Sequence, residues 1–202
     1  MKVTTILGSP KEKGNTAKVL DLFEELITQD HEVVRINIAT CHVNGCLGCY
    51  VCQKVTNEPG CIQNDDAAPI FERILSSDLI IYASPLYCWG FSSQMKALID
   101  RHLCLVTGYG TPDHKSLLEG KLTALLVTCG GQIENNADLI QGIFDRVNNF
   151  SKCNVVGKYV VPSCTRDQIG TRGMEVAKKM AGDISQWEVS HPMRPISNSG
   201  GC

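Results

Sequence analysis

The chain has 202 residues, of which 43% are hydrophobic and 20% are charged, so its composition is that of a globular protein and not of a disordered one. Nineteen Lys and Arg residues against 21 Asp and Glu give a net charge of −2, which excludes the strongly basic surface of proteins that bind nucleic acid or anionic membranes. No apolar run reaches the roughly 18–20 residues of a transmembrane helix, and the apolar stretch before Gly8 is too short for a secretory signal. We therefore expect a cytoplasmic protein with no nucleic-acid and no membrane partner.

Short apolar, β-branched segments alternate along the chain with longer segments of helical periodicity. Strands are predicted at 2–7, 32–38, 78–83, 122–128 and 154–161. Helices are predicted at 16–29, 66–76, 93–105, 133–150 and 172–189, and loops at 41–64 and 107–120. The strands are apolar throughout and do not alternate, which is typical of a parallel sheet covered on both faces.

Five such β–α units match an α/β fold of the flavodoxin-like type, a doubly wound five-stranded parallel sheet in the order 2-1-3-4-5, at least as well as a six-stranded Rossmann sheet. We expect a single domain over residues 1–190, in which the cysteine-rich segment 41–64 is a loop insertion. Two prolines and two glycines fall among the last twelve residues, so 191–202 is predicted to be a flexible C-terminal tail.

The segment after the first strand has the composition of a phosphate site. Ligands of open parallel sheets bind beyond the carboxyl ends of the strands, and here Gly-Ser-Pro-Lys-Glu-Lys-Gly-Asn-Thr (8–16) leads into a helix. A helix N-terminus offers unpaired amides and a favourable dipole to an anion, to which hydroxyls, an amide and a lysine could add. The candidate residues are Ser9, Lys11, Gly14, Asn15 and Thr16. The alternative is that Asn15 or Thr16 only caps the helix.

The segment after the third strand, Ser-Pro-Leu-Tyr-Cys-Trp-Gly (84–90), could hold a planar ring. Proline fixes the direction of the neighbouring amides, and the two aromatic side chains offer flat apolar surfaces for stacking. Gly130 and Gly131, after the fourth strand, could allow close backbone approach to a ligand. Both segments could equally be plain turns. The candidate residues of the two segments are Ser84, Pro85, Leu86, Tyr87, Trp89, Gly90, Gly130 and Gly131, and Cys88 and Cys129 could also line the site.

Taken together, these segments resemble the NADPH-dependent FMN reductase group of flavodoxin-like proteins, and in particular its iron–sulfur flavoprotein branch. The stretches that carry the resemblance are GSPKEKGNT (8–16), GCLGCYVC (45–52), GCIQNDD (60–66), SPLY (84–87), SQMKALIDR (93–101) and TCGG (128–131). The resemblance implies noncovalently bound FMN, with its phosphate at Ser9, Lys11, Asn15 and Thr16 and its ring at 85–90. At position 11 relatives often carry Arg, whose planar fork the lysine lacks. A nicotinamide nucleotide as electron donor and a homodimer or homotetramer are also implied.

Four of the 11 cysteines lie within 16 positions, at Cys46, Cys49, Cys52 and Cys61. Thiols are kept reduced in the cytosol, so such crowding indicates metal or redox chemistry before disulfides. The C-x2-C-x2-C spacing is that of loops that wrap an iron–sulfur cluster, and the resemblance implies a [4Fe–4S] cluster in this branch, where the last gap is usually shorter. Tetrathiolate zinc and plain reduced thiols remain alternatives.

The sequence shows no Ser-His-Asp set, no paired carboxylates and no histidine cluster, so no catalytic side chain is predicted. A flavin would carry the redox chemistry itself, with the protein supplying orientation and electrostatics. We expect an oxidoreductase in which FMN takes hydride from NAD(P)H and passes electrons to an unidentified small-molecule or protein acceptor. One alternative is a non-enzymatic flavodoxin-like or iron–sulfur electron carrier. Such carriers usually have a strongly acidic docking face, which a net charge of −2 does not indicate. The other alternative is a redox-sensing regulator.

Overall fold

A five-stranded parallel sheet forms the centre of the protein in the computed structural model, which describes residues 1–164 and 169–191. The strands of the chain are β1 (Lys2–Leu7), β2 (Glu32–Asn37), β3 (Leu79–Pro85), β4 (Val106–Thr107), β5 (Lys115–Ser116), β6 (Leu122–Thr128) and β7 (Asn154–Val161). The helices are α1 (Asn15–Ile27), α2 (Ala67–Ser76), α3 (Ser93–Asp100), α4 (Asp138–Ser151) and α5 (Ile169–Ser190). Short 3₁₀ segments cover Ile38–Thr40, Val51–Lys54 and Arg101–Leu105.

The order of the central sheet is β2-β1-β3-β6-β7, with every neighbouring pair parallel. Because β4 and β5 pair only with each other, in an antiparallel ribbon, this is the predicted flavodoxin-like order 2-1-3-4-5. The prediction is confirmed. Residues 192–202, most of the segment predicted to be a flexible tail, lie outside the described residues.

Two hydrophobic cores cover the two faces of the sheet. On one face, α1 and α5 cover alternate residues of the strands, and the core there includes Phe23 of α1, Met180 of α5 and Ile81 of β3. On the other face, α2, α3 and α4 cover the residues in between, and the core there includes Phe71 of α2, Phe144 of α4 and Tyr82 of β3. The central strands β3 and β6 are buried along their whole length, which explains their unbroken apolar sequences.

Three of the differences from the sequence prediction have a clear physical reason. The helix predicted at 93–105 is α-helical only to Asp100 and continues as a 3₁₀ turn, whose periodicity is too similar for the apolar pattern to distinguish. The helix predicted from 133 begins at Asp138, after a turn in which Asn135 has a left-handed φ of 54°. The predicted loop 107–120 contains β5, whose two residues are too few and too polar to show a strand pattern.

The parallel arrangement places the ends of β1, β3, β6 and β7 at one edge of the sheet. In register, Leu7 pairs with Ala83, Pro85 with Thr128, and Thr128 with Val161. The segments that follow these strands therefore meet at this edge. No helix in the described part of the chain is long and apolar enough to span a membrane.

Candidate functional site

A cleft of about 340 Å³ lies at the carboxyl edge of the sheet, between the segments that follow β1, β3, β6 and β7. Its volume falls within the roughly 300–1,000 Å³ of small-molecule sites. The lining residues are Ser9, Lys11, Lys13, Gly14, Asn15, Thr16, Lys18, Pro85, Leu86, Tyr87, Thr128, Cys129, Gly130 and Cys164. Nine of the thirteen residues predicted to bind a cofactor are thus brought together; Ser84, Trp89, Gly90 and Gly131 are not part of the lining.

The N-terminus of α1 opens into this cleft without a side-chain cap. Gly14 is the N-cap residue, its carbonyl accepts from the amide of Lys18 at 3.0 Å, and no side chain bonds the first-turn amides. The capping role considered for Asn15 or Thr16 is therefore not the one that the structure shows. The free amides and the positive end of the helix dipole face the cleft, which is the arrangement that binds phosphate in many proteins.

Two polar side chains of the segment 8–16, Ser9 and Thr16, hold this segment in place. The Ser9 hydroxyl donates to the carbonyl of Lys11 and accepts from its amide, both at 3.1 Å. The Thr16 hydroxyl bonds that of Thr128 at 2.7 Å, which joins α1 to the end of β6 at the floor of the cleft. Since these hydroxyls already have partners, the donors left for an anion are chiefly backbone amides and lysines.

Three lysines give the cleft its positive charge. Lys11, Lys13 and Lys18 all line it and are exposed, and none is paired with a carboxylate of the described residues. The sequence pointed to Lys11 alone. Lys18 lies one helical turn after the N-cap residue Gly14 and therefore on the side of α1 that lines the cleft. Its position at the cleft follows only once the start of the helix is known.

The segment after β3 forms a tight hairpin in a strained conformation. Tyr87 and Gly90 exchange backbone hydrogen bonds of 3.1 and 3.0 Å, and the two residues between them, Cys88 and Trp89, have φ values of 46° and 61°. Two positive φ values are the signature of a type I′ turn, which normally uses Asn and Gly. Left-handed conformations in non-glycine residues cost about 1–3 kcal/mol each and cluster at functional sites.

The hairpin presents Tyr87 at the cleft and Trp89 beyond it, with exposures of 44% and 56%. Ser84, by contrast, is fully buried, and its hydroxyl accepts from the amide of Ser92 at 3.1 Å. Its place in the structure is therefore to tie the hairpin to the start of α3. Gly130 is open, because a Cβ built on it would meet no atom within 4 Å.

The cysteine-rich segment is a loop with a closed neck. At the neck, the amide of His42 donates to the Asp66 carboxylate at 2.6 Å and the amide of Asp66 donates back to the His42 carbonyl at 3.0 Å. The loop is also tied to the 3₁₀ segment after α3, since the Gln53 side chain donates to the carbonyls of Leu103 and Val106 at 2.9 and 2.8 Å.

The tip of this loop brings the four predicted cysteines to one small cavity of about 20 Å³, the cysteine cavity. Cys46 and Cys49 are exposed, Cys61 is partly buried and Cys52 is buried. Among residues 1–164 and 169–191, no three His, Cys, Asp or Glu side chains are spaced to hold a metal ion. A fifth cysteine, Cys104, also lines the cavity, and burial raises the pKa of its thiol to about 12.

Arg101 lies beneath the cysteine cavity and is 2% exposed. Its Nη1 donates to Asp65 at 2.7 Å and to the carbonyl of Asn44 at 3.2 Å, and both charged side chains are almost fully buried. Burial alone would raise the pKa of the Asp65 carboxyl, but the bonds from Arg101 and from the amides of Asn44 and Ala67 lower it to about 2. Sequence reasoning missed Arg101, although a charged residue three positions after Leu98, on the apolar side of a helical pattern, is a signal of a buried ion pair.

Comparison with known proteins identifies the family of this chain. Residues 1–162 match the family model described as NADPH-dependent FMN reductase. A protein named iron–sulfur flavoprotein from Archaeoglobus fulgidus is 30% identical over 197 residues, which cover 96% of this chain and 84% of that protein.

Two solved structures show the same fold at low identity. An NAD(P)H:quinone oxidoreductase from Methanothermobacter marburgensis superposes with a TM-score of 0.70 and 15% identity, covering 91% of this chain and 98% of that one. An FMN-dependent NADH-azoreductase from Bacillus anthracis in complex with FMN does so with a TM-score of 0.66 and 14% identity over the same shares. The chain is therefore a flavodoxin-like oxidoreductase and belongs to the NADPH-dependent FMN reductase family.

Proposed function

We propose that FMN binds in the cleft at the carboxyl edge of the sheet, accepts hydride from NADH or NADPH, and passes electrons to a small-molecule or protein acceptor. The observation that carries the proposal is the uncapped N-terminus of α1, which opens into a cleft lined by three lysines. Bound FMN would supply the hydride and electron chemistry. The side chains of this chain would bind the cofactor, orient it and set its electrostatic environment.

The phosphate end of the cleft suits a single terminal phosphate. The free amides of the first turn of α1 and the charges of Lys11 and Lys18 are donors of the kind that a dianionic phosphate monoester needs. A dinucleotide such as FAD carries a pyrophosphate instead, for which neither a G-x-G-x-x-G nor a Walker-type loop follows β1. FMN is therefore the favoured flavin.

The opposite end of the cleft suits a planar ring. Pro85, Leu86 and Tyr87 form its wall, and the amide of Leu86 is fixed by a 2.9 Å bond to the carbonyl of Thr128. The strained turn at Cys88 and Trp89 holds two aromatic side chains in the open, where a flat cofactor could stack. Gly130 leaves space for the cofactor to approach the backbone.

We further propose that the cysteine loop holds an iron–sulfur cluster through Cys46, Cys49, Cys52 and Cys61, and that electrons leave the flavin by this route. Four thiols on one cavity form a suitable donor set, and the amide of Gly48 already donates to the sulfur of Cys46 at 3.4 Å. A cluster needs more room than the present 20 Å³, so its binding would require the exposed side chains of Cys46 and Cys49 to turn outward. The exposed apolar side chains Leu47, Tyr50 and Ile62 surround the cavity and offer a surface for the acceptor.

Cofactor binding tests the proposal directly. The flavin-free protein is titrated with FMN and with FAD, and bound iron and sulfide are counted in protein purified without oxygen. We expect one tightly bound FMN per chain, weaker FAD, and four irons with four sulfides. Equal affinity for both flavins would contradict the proposed phosphate site. One zinc per chain with no sulfide would contradict the cluster and identify a tetrathiolate zinc site instead.

A further inference from the structure

The floor of the cysteine cavity is charged, although the chain around it is apolar. Leu103, Cys104 and Arg101 all come from the 3₁₀ segment after α3 and line the side of the cavity that faces the core. Arg101 is among the largest fully buried side chains of the protein. A buried guanidinium is expensive unless every N–H finds a partner, so its position next to four thiols calls for an explanation.

The ion pair with Asp65 explains only part of this arrangement. Arg–carboxylate pairs frequently use two parallel hydrogen bonds, one from each side of the fork. Here a single guanidinium nitrogen, Nη1, donates to both Asp65 and the carbonyl of Asn44, while Nε is buried and has no hydrogen-bond partner. An unsatisfied buried donor of this kind costs about 1–3 kcal/mol or more for a charged group. A role for Arg101 as an anchor of the loop alone does not account for this unsatisfied donor.

The cationic member of the ion pair is the one that borders the cysteine cavity. Arg101 lines the cysteine cavity, whereas its partner Asp65 does not. The Cys61 thiol lies close enough to act on Arg101 electrostatically, together with Asp65. The positive member of the pair is thus the one at the four cysteines, where its charge would attract an anion bound in the cavity.

We propose that Arg101 is a positioning residue that holds an anionic, thiolate-ligated group in the cysteine cavity and raises its reduction potential. The inference rests on the proposed cluster. A cluster with four thiolate ligands is negatively charged, and each electron that it accepts adds one negative charge. A nearby cation stabilises the more negative, reduced form more strongly, so the cluster becomes easier to reduce by the flavin.

Because Arg101 lies nearer the cavity than Asp65, substitutions of the two residues should shift the reduction potential of the cluster in opposite directions. Arg101→Gln removes the near positive charge and lowers the potential, whereas Asp65→Asn removes the more distant negative charge and raises it. Arg101→Lys keeps the charge and stays close to the native value. If Arg101→Gln does not fold with a lone Asp65, the double variant Arg101→Gln/Asp65→Asn replaces the ion pair by a neutral pair and still lowers the potential, by less. Lys96→Gln is the matched control, since Lys96 is an exposed cation on the preceding helix, paired with Asp100.

The experiment measures iron and sulfide per chain and the midpoint potential of the cluster in each variant, by optical and EPR titration. We expect Arg101→Gln to change the ratio of oxidised to reduced cluster at a fixed potential at least tenfold, which is about 59 mV for one electron. Asp65→Asn should shift it in the opposite direction and Lys96→Gln should leave it unchanged.

Three results would overturn the inference, and they differ in what they leave standing. An unchanged potential in loaded Arg101→Gln would make Arg101 a loop anchor only and would leave the proposed function intact. Loss of iron in both Arg101→Gln and Arg101→Lys would show that the planar guanidinium, and not the positive charge, is needed. Wild-type protein without iron and sulfide would remove the inference together with the cluster, while FMN binding would still test the flavin site separately.

Discussion

The cleft after β1 and the cysteine cavity after β2 follow neighbouring strands of one sheet, but they are built in different ways. The cleft takes its donors from the backbone at the start of α1, a 13-residue helix packed into the core. The cysteine cavity takes its donors from side chains on a long loop, held by a neck at 42 and 66 and by one buried ion pair. The cleft is preorganised by regular structure, whereas the cavity depends on a few side-chain contacts.

Removal of Asp65 is expected to have the largest effect and to separate the two regions. Asp65→Ala leaves a buried Arg101 without its carboxylate, and breaking a buried pair in this way costs about 3–5 kcal/mol in the free energy of unfolding. We expect this loss in urea unfolding, with hydrogen exchange accelerated in 42–66 and unchanged at the start of α1. Asp21→Ala, which breaks the more exposed pair with Arg35, is the control and should cost less than about 1 kcal/mol. Equal losses in the two variants would contradict the distinction.

Acid should weaken the cavity side of the protein through His102. This side chain is buried among Phe71 and Tyr82 with neither ring nitrogen bonded, and burial lowers its pKa to about 4 from an ordinary value of 6.5. As the pH falls, His102 is therefore protonated in the unfolded chain before it is protonated in the folded protein. The free energy of unfolding decreases as the pH falls from about 6.5 towards 4. The full loss is roughly 3 kcal/mol at 1.36 kcal/mol per pKa unit.

Urea unfolding of wild type and His102→Phe at pH 7 and pH 5 measures this contribution. The variant should lose less stability than wild type between the two pH values, because phenylalanine does not titrate. Parallel losses in both proteins would show that other groups carry the acid sensitivity.

Charge removal at the cleft should weaken FMN without loosening the fold. Lys11→Gln/Lys18→Gln removes two exposed cations from the phosphate end, and we expect FMN affinity to fall at least tenfold, about 1.4 kcal/mol. The remaining binding should depend less on salt, because backbone amides then carry it. Lys96→Gln is the control for charge alone. Unchanged affinity in the double variant would place the phosphate elsewhere.

The smallest effect is expected at the strained hairpin. Cys88→Gly removes a side chain from a residue with a φ of 46°, and the protein should gain about 1 kcal/mol of stability. Thermal unfolding of the flavin-free protein measures the gain. A loss of stability would mean that the side chain of Cys88 makes contacts that outweigh the strain.

Local patterns explain why much of the fold was predictable. The unbroken apolar runs at 79–85 and 122–128 indicated buried parallel strands, and Gly14 with the polar residues around it marked the start of α1 at a ligand edge. The contacts that hold the sites were not predictable, because their partners are distant in sequence. Thr16 bonds Thr128, 112 positions away, and Asp65 pairs with Arg101, 36 positions away. The residue assignments for the cofactors remain predictions that the variants above test.

Anaerobic mixing of the FMN-loaded protein with NADH or NADPH tests the central claim most directly. With no other protein present, we expect the flavin absorption bands to bleach within seconds with at least one of the two nucleotides, because the cleft proposed for FMN is lined by the exposed Tyr87 and can be approached from solvent there. Flavin that stays oxidised with both nucleotides, and is bleached only when a separate reductase is added, would contradict the enzyme assignment and identify an electron carrier.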